Sequence, residues 1–395
     1  MHFLTDVVSF RANLVDGGGK TTAGPVAGWR EISVYRDFND PVLWDIWRQL
    51  EEQGRSTVFQ SAAFLRPLLD GVGRLAQAEC HILVVTDREG PLAAFPFVRR
   101  RKGAISVLEF ADFGLSDYCA PLVANRLDSD DHTLWCAIWR EVVDSLPKAD
   151  ALLIEKVPGH FGDRTNPMML LPRVRPMQTA TRQVAVDPLW FKTSVAKEAA
   201  YQRRKMERAG RTEFEIVRDA SQIDALMAVM REMRRRRFQA RGIHDSLEAP
   251  GVFEFYSGLL RRGCRDGSSV LGVLRFDGEP VALSAGLVHL RRFNGVLTAM
   301  DEDMRTFSPG LVSMAALFEW CIEQKIETYD LGLGEQHYKS RFGGEETMLF
   351  DLAQAKSLKG FWWKIRRDAK AFARSTLTSY PTLAARVSRL RGKSG

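Results

Sequence analysis

The feature of this sequence that most constrains its fold is a hairpin pattern that occurs once in each half of the chain. TDREGPLAAFPFV (86–98) and RFDGEPVALSAGLV (275–288) each place an acid–glycine turn and a proline before an alternating small and apolar strand. The prolines, Pro91 and Pro280, lie 189 positions apart. This spacing predicts two domains of similar size related by duplication, although two unrelated hairpins with the same turn chemistry would also look alike.

The order of helical and extended patterns also repeats. Residues 30–185 and 186–355 each predict strands, helices, a hairpin, a further helix and a further strand, and 395 residues suit two domains. The sequence therefore predicts an α/β architecture, of the α+β kind with mixed sheets, built as two tandem domains. Residues 1–29 are expected to form a flexible leader and residues 356–395 a basic amphipathic tail.

Composition and charge exclude several classes of protein. Hydrophobic residues make up 45% and charged residues 27%, which is typical of a globular chain. No apolar run approaches the twenty residues of a membrane span, and five scattered cysteines without a CxxC suit a reducing cytoplasm. The net charge is +7, but residues 356–395 alone carry +10, so the rest sums to −3. Binding of DNA by the body of the protein is therefore not expected.

A glycine-rich segment in the leader resembles a phosphate-binding loop only in part. GGGKTT (17–22) has the lysine and threonines, but Leu14 stands where the loop needs its first glycine. A nucleotide site is not expected there.

The tail has the pattern of an interfacial helix. Counted at 100° per residue from Leu358, apolar side chains gather on one side and basic ones on the other. The apolar stripe consists of Leu358, Phe361, Trp362, Ile365, Ala369 and Phe372, while Trp363 lies among the charges, where an indole suits lipid headgroups. The pattern predicts contact with an anionic membrane at its cytoplasmic face; the alternative is that the stripe packs on the second domain.

Two stretches in the second half resemble a known family. TAMDEDMRTFSPGLVSMAALFEWCIEQKIETYDLGLG (298–334) and EQHYKSRFGG (335–344), together with SDYCAP (116–121), resemble the CelD-type, cellulose-biosynthesis-associated branch of the GNAT N-acyltransferases. Fem-type aminoacyl transferases are more distant relatives with the same doubled fold. The resemblance implies transfer of an acyl group from acyl-CoA to an amine, such as an amino sugar used in envelope or exopolysaccharide assembly.

The resemblance also implies where a CoA co-substrate would bind. GNAT enzymes hold the pyrophosphate with an Arg/Gln-x-x-Gly-x-Gly/Ala turn before a helix, and the equivalent stretch here contains Arg305, Ser308 and Gly310. Ser308 is expected to cap the helix, with Pro309 at its first position. Only one of the motif's glycines is present and Pro309 lacks an N–H, so this sequence departs from the pattern.

The segment from Asp330 to Lys339 contains the groups that aminolysis of a thioester needs. Glu335 or His337 can accept the amine proton, Tyr338 can protonate the thiolate, and Lys339 can hold an anionic oxygen. Asp330 is a candidate substrate contact at a strand end. The alternative is ordinary turn chemistry, with Lys339 in solvent.

Asp117 and Tyr118 are a second pair of candidate substrate contacts, because they lie on a tight turn before Pro121; turn capping and core packing are the alternative. No histidine pair has metal-ligand spacing, so no metal is expected. Two other functions stay open: a Fem-like transferase that uses aminoacyl-tRNA, and a non-catalytic scaffold docked on a membrane-bound polysaccharide synthase.

Overall fold

The structure, a computed structural model, describes residues 30–128, 130–334 and 337–379, and it describes the backbone alone for residues 337, 338 and 372–379. The predicted leader, its GGGKTT segment, Glu335 and the end of the tail lie outside the described residues.

The first half contains the predicted strand, two helices, hairpin, further helix and further strand, together with additional strands. Their bounds are β1 Arg30–Tyr35, α1 Pro41–Gln53, β2 Gly54–Arg55, α2 Ala62–Leu68, β3 Glu79–Asp87, β4 Gly90–Lys102, β5 Ile105–Phe110, β6 Leu122–Ala124, α3 His132–Asp144, β7 Ala151–Pro158, β8 His160–Phe161, β9 Arg164–Thr165 and β10 Val174–Ala185.

The second half repeats this order and ends in a long helix. Its elements are α4 Ser194–Ala209, β11 Thr212–Ile216, α5 Ala220–Ala240, α6 Val252–Gly263, β12 Ser269–Phe276, β13 Glu279–His289, β14 Arg292–Met300, α7 Pro309–Glu323, β15 Thr328–Leu333, α8 His337–Phe342, β16 Glu345–Ala355 and α9 Leu358–Ser379.

Both predicted hairpins are present. Strands β3 and β4 pair antiparallel up to Asp87 and Gly90, and β12 and β13 pair antiparallel up to Phe276 and Glu279. In each half a third antiparallel strand follows the hairpin, β5 or β14, and this strand then pairs parallel with β7 or β15, respectively. The mixed sheets and the tandem arrangement of the prediction are therefore confirmed.

The two halves exchange their last strands and so form one sheet. The order is β1-β3-β4-β5-β7-β16-β10-β15-β14-β13-β12-β11. Strand β10, from the first half, lies beside β15, and β16, from the second half, lies beside β7. The boundary at residue 185 therefore divides the chain into two halves, but the sheet continues across it without interruption.

The start of α7 corrects one local prediction. Pro309 occupies the first turn, as expected, but the Ser308 side chain makes no capping hydrogen bond. A 3₁₀ turn, Arg305–Phe307, runs directly into the helix, and Ser308 adopts the left-handed conformation with φ of 50°. This backbone does not have the extended shape that lets an N-cap hydroxyl reach the helix N–H groups.

Helix α9 docks on β5, β7 and β16 through the face opposite to the predicted apolar stripe. Gly360 lies so close to the Asp150 carbonyl that a Cβ would overlap it, and Trp363 packs against Ile105, Val107, Ala151, Leu153 and Ala353. The described members of the stripe, Leu358, Phe361, Trp362, Ile365 and Ala369, are exposed, so for these residues the alternative that the stripe packs on the second domain is wrong. The expectation that Trp363 lies among headgroups is also wrong, because its indole packs against the protein.

Candidate functional site

The site begins where two parallel strands separate. Strands β14 and β15 pair only over Arg292–Asn294 and Thr328–Asp330. Directly beyond, Gly295 and Gly332 face each other so closely that a Cβ on Gly332 would lie 3.1 Å from the Gly295 carbonyl oxygen. The strands then diverge, and the opening contains a cavity of about 680 Å³.

One wall of this cavity, which is larger than a second cavity at the same site, is basic. Its lining comprises Asp117, Arg234, Arg237, Phe238, Arg241, Ile243, Gly295, Val296, Leu297, Thr298, Met314, Tyr329, Leu331, Gly332, Leu333 and Lys339. Arg234 is buried, forms an ion pair with Asp245 and donates to the Thr298 carbonyl at 3.0 Å. The four consecutive arginines of α5, residues 234–237, therefore have different surroundings. Arg234 and Arg237 line the cavity, whereas Arg235 and Arg236 are exposed and pair with Glu232 on the surface.

Asp330 lies at the centre of a buried polar cluster and is 1% exposed. Its Oδ1 accepts the Gly332 N–H at 2.8 Å and its Oδ2 accepts the Tyr118 hydroxyl at 2.5 Å. Arg292 Nη1 lies 3.8 Å from Oδ2. Burial raises the pKa of Asp330, although these hydrogen bonds and the charges of Arg292 and Lys339 oppose the rise.

Tyr118 links this cluster to the exchanged strand. Gln183 Nε2, on β10, donates to the phenol oxygen at 3.0 Å, and Thr181 Oγ1 lies 2.7 Å from it. Burial and the neighbouring Asp330 raise the pKa of Tyr118, so the phenol keeps its proton at neutral pH. Tyr118 therefore acts as a fixed hydrogen-bond donor to Asp330.

The side chain of Asp117, the residue before Tyr118, binds its proton more tightly than an ordinary aspartate does. Burial and the Asp330 carboxylate raise the pKa of Asp117 to about 7, against Lys156, Lys339 and a hydrogen bond from the Leu333 backbone. Its Oδ2 lies against Gly332, where a Cβ would be 2.7 Å away. A carboxyl group that titrates near neutral pH can take up and release a proton under working conditions.

Lys339 is the cationic member of the site, and it is 5% exposed, not solvated. Its Nζ donates to the carbonyl oxygens of Leu333 and Gly332 at 2.6 and 3.2 Å. Burial lowers the pKa of Lys339, and Asp117 and Asp330 oppose this. Because three N–H bonds radiate from an ammonium group, two carbonyl contacts leave one for an anionic oxygen in the cavity.

A second cavity, of about 380 Å³, reaches the same cluster and shares no lining residue with the first. Its lining comprises Gly54, Arg55, Ser56, Thr57, Val58, Tyr118, Pro158, His160, Phe161, Gly162, Gln183, His289, Leu290, Arg292, Asn294 and Thr347. The two cavities are lined by neighbouring residues of the chain: Asp117 and Gly295 line the first, and Tyr118 and Asn294 line the second. Asn294 is buried, and its Oδ1 has no hydrogen-bond partner among the described residues.

The structure thus brings together four residues that the sequence analysis selected in two separate groups: Asp117 and Tyr118 from the first half, and Asp330 and Lys339 from the second. Glu335 lies outside the described residues. His337 and Tyr338 begin α8, and the structure describes only their backbone. Their catalytic roles stay predictions.

The turn predicted to hold pyrophosphate lines neither of these two cavities. The N–H groups of Phe307 and Ser308 donate to the carbonyls of Met304 and Arg305, and those of Leu311 and Val312 donate to Ser308. Pro309 has no N–H. The role of Arg305, Ser308 and Gly310 in binding a donor stays a prediction.

Sequence reasoning missed several residues around the site. Thr181 and Gln183 belong to a strand, β10, that the sequence analysis did not recognise, and Asn294 gave no motif. Arg234 and Arg237 belong to a run of four arginines, residues 234–237, which is more typical of a solvated helix face than of a binding site. Their spacing of three, with Arg241 four positions further on, is the signal for one shared helix face.

Two further observations concern the described part of the chain only. No group of three or more histidine, cysteine, aspartate or glutamate side chains is arranged there to hold a metal ion. None of its helices combines the length and the apolar character needed to cross a bilayer.

A comparison with known protein families gives a match in the second half of the chain. Residues 193–340 match the family model of an acetyltransferase (GNAT) domain. This part of the second half, from α4 to α8, is therefore similar to a GNAT acetyltransferase domain.

Solved structures resemble the chain in fold. FemX is 9% identical, with a TM-score of 0.56, over 78% of this chain and 94% of that one. L-PGS from Bacillus licheniformis is 13% identical, with a TM-score of 0.51, over 86% and 98%. The C-terminal domain (DUF2156) of a protein assigned as a lysylphosphatidylglycerol synthetase from Agrobacterium fabrum is 13% identical, with a TM-score of 0.50, over 85% and 96%. No curated protein sequence matches significantly.

Proposed function

We propose that this protein is an N-acyltransferase that moves an acyl group from a thioester, such as acyl-CoA, to an amine, with its reaction centre at Asp117, Asp330 and Lys339. The observation that carries the proposal is the position of Asp117. This carboxyl group, with a pKa of about 7, borders the larger cavity together with the Lys339 ammonium group.

These groups supply what aminolysis requires. The Asp117 carboxylate removes a proton from the amine as the new C–N bond forms, and the Lys339 ammonium stabilises the oxyanion of the tetrahedral adduct. When the C–S bond breaks, the proton held by Asp117 neutralises the departing thiolate. Tyr118 and the Gly332 N–H hold Asp330 in place, and the Asp330 charge keeps the pKa of Asp117 raised.

The larger cavity suits the donor. Beyond Asn294, β14 has no ladder partner among the described residues on the side of β15, so the backbone edge of residues 295–298 is open to an extended, amide-containing arm. Arg237 and Arg241 on the opposite wall suit a phosphate-bearing group.

The smaller cavity suits a polar acceptor. Ser56, Thr57, Gln183, Asn294 and Thr347 contribute hydroxyl and amide groups to its wall, next to Tyr118. Such groups form the multiple hydrogen bonds that a sugar ring needs, and the unpartnered Asn294 Oδ1 can accept from a ligand N–H or O–H. An amino sugar is therefore the proposed acceptor, in the envelope or exopolysaccharide context of the CelD-type branch.

A Fem-like, aminoacyl-tRNA-dependent transfer is the second candidate, and the turn before α7 favours it. Residues Phe307–Pro309, Leu311 and Val312 offer no free backbone N–H to a pyrophosphate. The fold likeness to FemX and to L-PGS is compatible with an aminoacyl donor.

The test is a donor comparison with the full-length protein. Thiol release from acetyl-CoA and longer acyl-CoA thioesters is measured with glucosamine as the amine, and aminoacyl-tRNA replaces the thioester in a parallel series read by mass spectrometry of the amide. Amine-dependent thiol release is expected, lowered by about a hundredfold or more in Asp117→Asn. Asp224→Asn is the matched control, because its exposed carboxylate pairs with Arg261 on the surface.

The outcomes separate the candidates. Amide formed from aminoacyl-tRNA alone would replace the thioester proposal by the second candidate. Turnover that is equal in Asp117→Asn and wild type would place the chemistry elsewhere. No turnover with either donor, together with no donor binding by calorimetry, would favour the scaffold.

A further inference from the structure

The outer face of helix α9 carries large apolar side chains that the protein does not cover. Leu358, Phe361, Trp362 and Ile365 are 74%, 48%, 58% and 42% exposed. They are four of the twelve large hydrophobic side chains exposed among the described residues, and they fall within eight positions of one helix. We refer to these four residues as the α9 apolar face.

The rotation of α9 about its axis is fixed, so this exposure is a property of the fold. Ser357 Oγ accepts the Gly360 N–H at 3.1 Å and donates to Asp150 at 2.6 Å, which anchors the start of the helix. One turn later Trp363 packs into the core. Arg367 then forms ion pairs with Glu155, at 2.9 Å, and with Asp351. Positions 360, 363 and 367 follow the helical period and lie about 180° from the apolar face.

Basic side chains border the apolar face on one side. Lys359, Arg366 and Lys370 are exposed, and at 100° per residue they lie between the apolar face and the docked side. The segment from residue 356 to the end of the chain carries +10. A stripe of Leu, Phe, Trp and Ile with a basic border is the composition of a helix that lies in a lipid interface.

We propose that the α9 apolar face inserts into the surface of an anionic lipid bilayer, so that the protein docks on a membrane through its C-terminal helix. Charge selects the lipid surface over a second copy of this chain. Two copies facing each other through α9 would bring two segments of +10 together, whereas anionic headgroups neutralise them. This docking surface goes beyond the transfer reaction and does not depend on it.

The test uses the full chain and vesicles of stated composition. Binding to phosphatidylcholine vesicles, with and without 30% phosphatidylglycerol, is measured by co-sedimentation at low and at 0.5 M salt. Binding is expected to the anionic vesicles only and to weaken in salt. Phe361→Ser/Trp362→Ser/Ile365→Ser should abolish it without loss of thermal stability, because these side chains are exposed. Lys359→Gln/Arg366→Gln/Lys370→Gln should lower the partition coefficient about fivefold per residue removed.

A matched control replaces three equally exposed apolar side chains elsewhere, in Val42→Ser/Leu189→Ser/Met348→Ser, and should bind like wild type. Absence of wild-type binding to anionic vesicles at low salt overturns the proposal, as does unchanged binding of the α9 serine variant. So does a wild-type dimer in sedimentation velocity that the α9 serine variant converts to a monomer, because the face would then be covered by a second copy.

Discussion

Tyr118 and Asp330, 212 positions apart in the sequence, share a buried hydrogen bond of 2.5 Å that joins the two halves of the molecule at the candidate site. Gln183 and Thr181, from the exchanged strand β10, contact the same phenol oxygen. The site therefore exists only in the assembled pair of domains. Each half contributes one carboxyl group to it, Asp117 and Asp330.

Tyr118→Phe should weaken both the fold and the reaction. It removes the hydroxyl that donates to Asp330 and leaves a buried carboxylate without one of its partners, at a cost of about 1–3 kcal/mol in the free energy of unfolding. Urea unfolding checks the stability, and Tyr201→Phe, at an exposed position, is the control. A double-mutant cycle with Asp330→Asn should give a coupling energy above about 0.5 kcal/mol. Simple additivity would mean that the two side chains do not act on each other.

Asp117→Asn should change how stability depends on pH. In the folded protein Asp117 keeps its proton up to about pH 7, whereas the reference carboxyl group loses it near 3.8. The folded state therefore binds this proton more tightly, and its contribution to stability is complete below about pH 4 and is lost as the pH rises through 7. Relative to Asp117→Asn, wild type should lose stability between pH 4 and 8, by about 4 kcal/mol as an upper limit.

Unfolding of both proteins in urea at pH 4, 6 and 8 measures this difference, and carboxyl groups distant from Asp117 cancel because both proteins contain them. A difference in stability that stays constant from pH 4 to 8 would show that the pKa of Asp117 is not raised.

Lys339→Gln should lower turnover about a hundredfold while leaving a cooperatively folded protein, because it removes the donor to the oxyanion. It should also move the proton uptake of Asp117, since the Lys339 charge lowers the pKa of that carboxyl group. The inflection of the kcat/KM profile near pH 7 is expected to shift upward. Lys192→Gln, at an exposed lysine, is the control. Loss of activity with an unshifted inflection would argue that Lys339 only positions the backbone of Gly332 and Leu333.

The sequence predicted correctly those features that depend on a few residues close together in the chain. The acid–glycine turns close both hairpins and Pro309 begins α7, as predicted, since each depends on a few neighbouring residues. The candidate residues Asp117, Tyr118, Asp330 and Lys339 were found for the same reason, from local turn and strand-end patterns.

What the sequence did not reveal depends on contacts between distant segments. Strand β10 contains an irregularity between Pro176 and Ala180 and many polar side chains, so it lacks the alternation by which a strand is recognised. Its exchange into the other half brings Thr181 and Gln183 to Tyr118. The sequence showed that α9 is amphipathic, but not which of its faces docks on the protein. That face is set by contacts of Gly360 and Arg367 with Asp150 and Glu155, which lie in the first half of the chain.

Gly332 and Gly334 share a left-handed backbone conformation, but only Gly332 lies against Asp117. Both have positive φ, 73° and 88°, so an alanine at either position costs about 1–2 kcal/mol of stability. A Cβ on Gly332 would also lie 2.7 Å from Asp117 Oδ2 and 3.1 Å from the Gly295 carbonyl oxygen, whereas a Cβ on Gly334 meets no atom of the described residues within 4 Å. Gly332→Ala should therefore displace the Asp117 carboxylate and lower kcat/KM at least tenfold more than Gly334→Ala, with a somewhat lower melting temperature because of the Gly295 contact. Steady-state kinetics and thermal melts of the two variants measure this. Equal activity in both would mean that the position of Asp117 beside Gly332 has no part in the reaction.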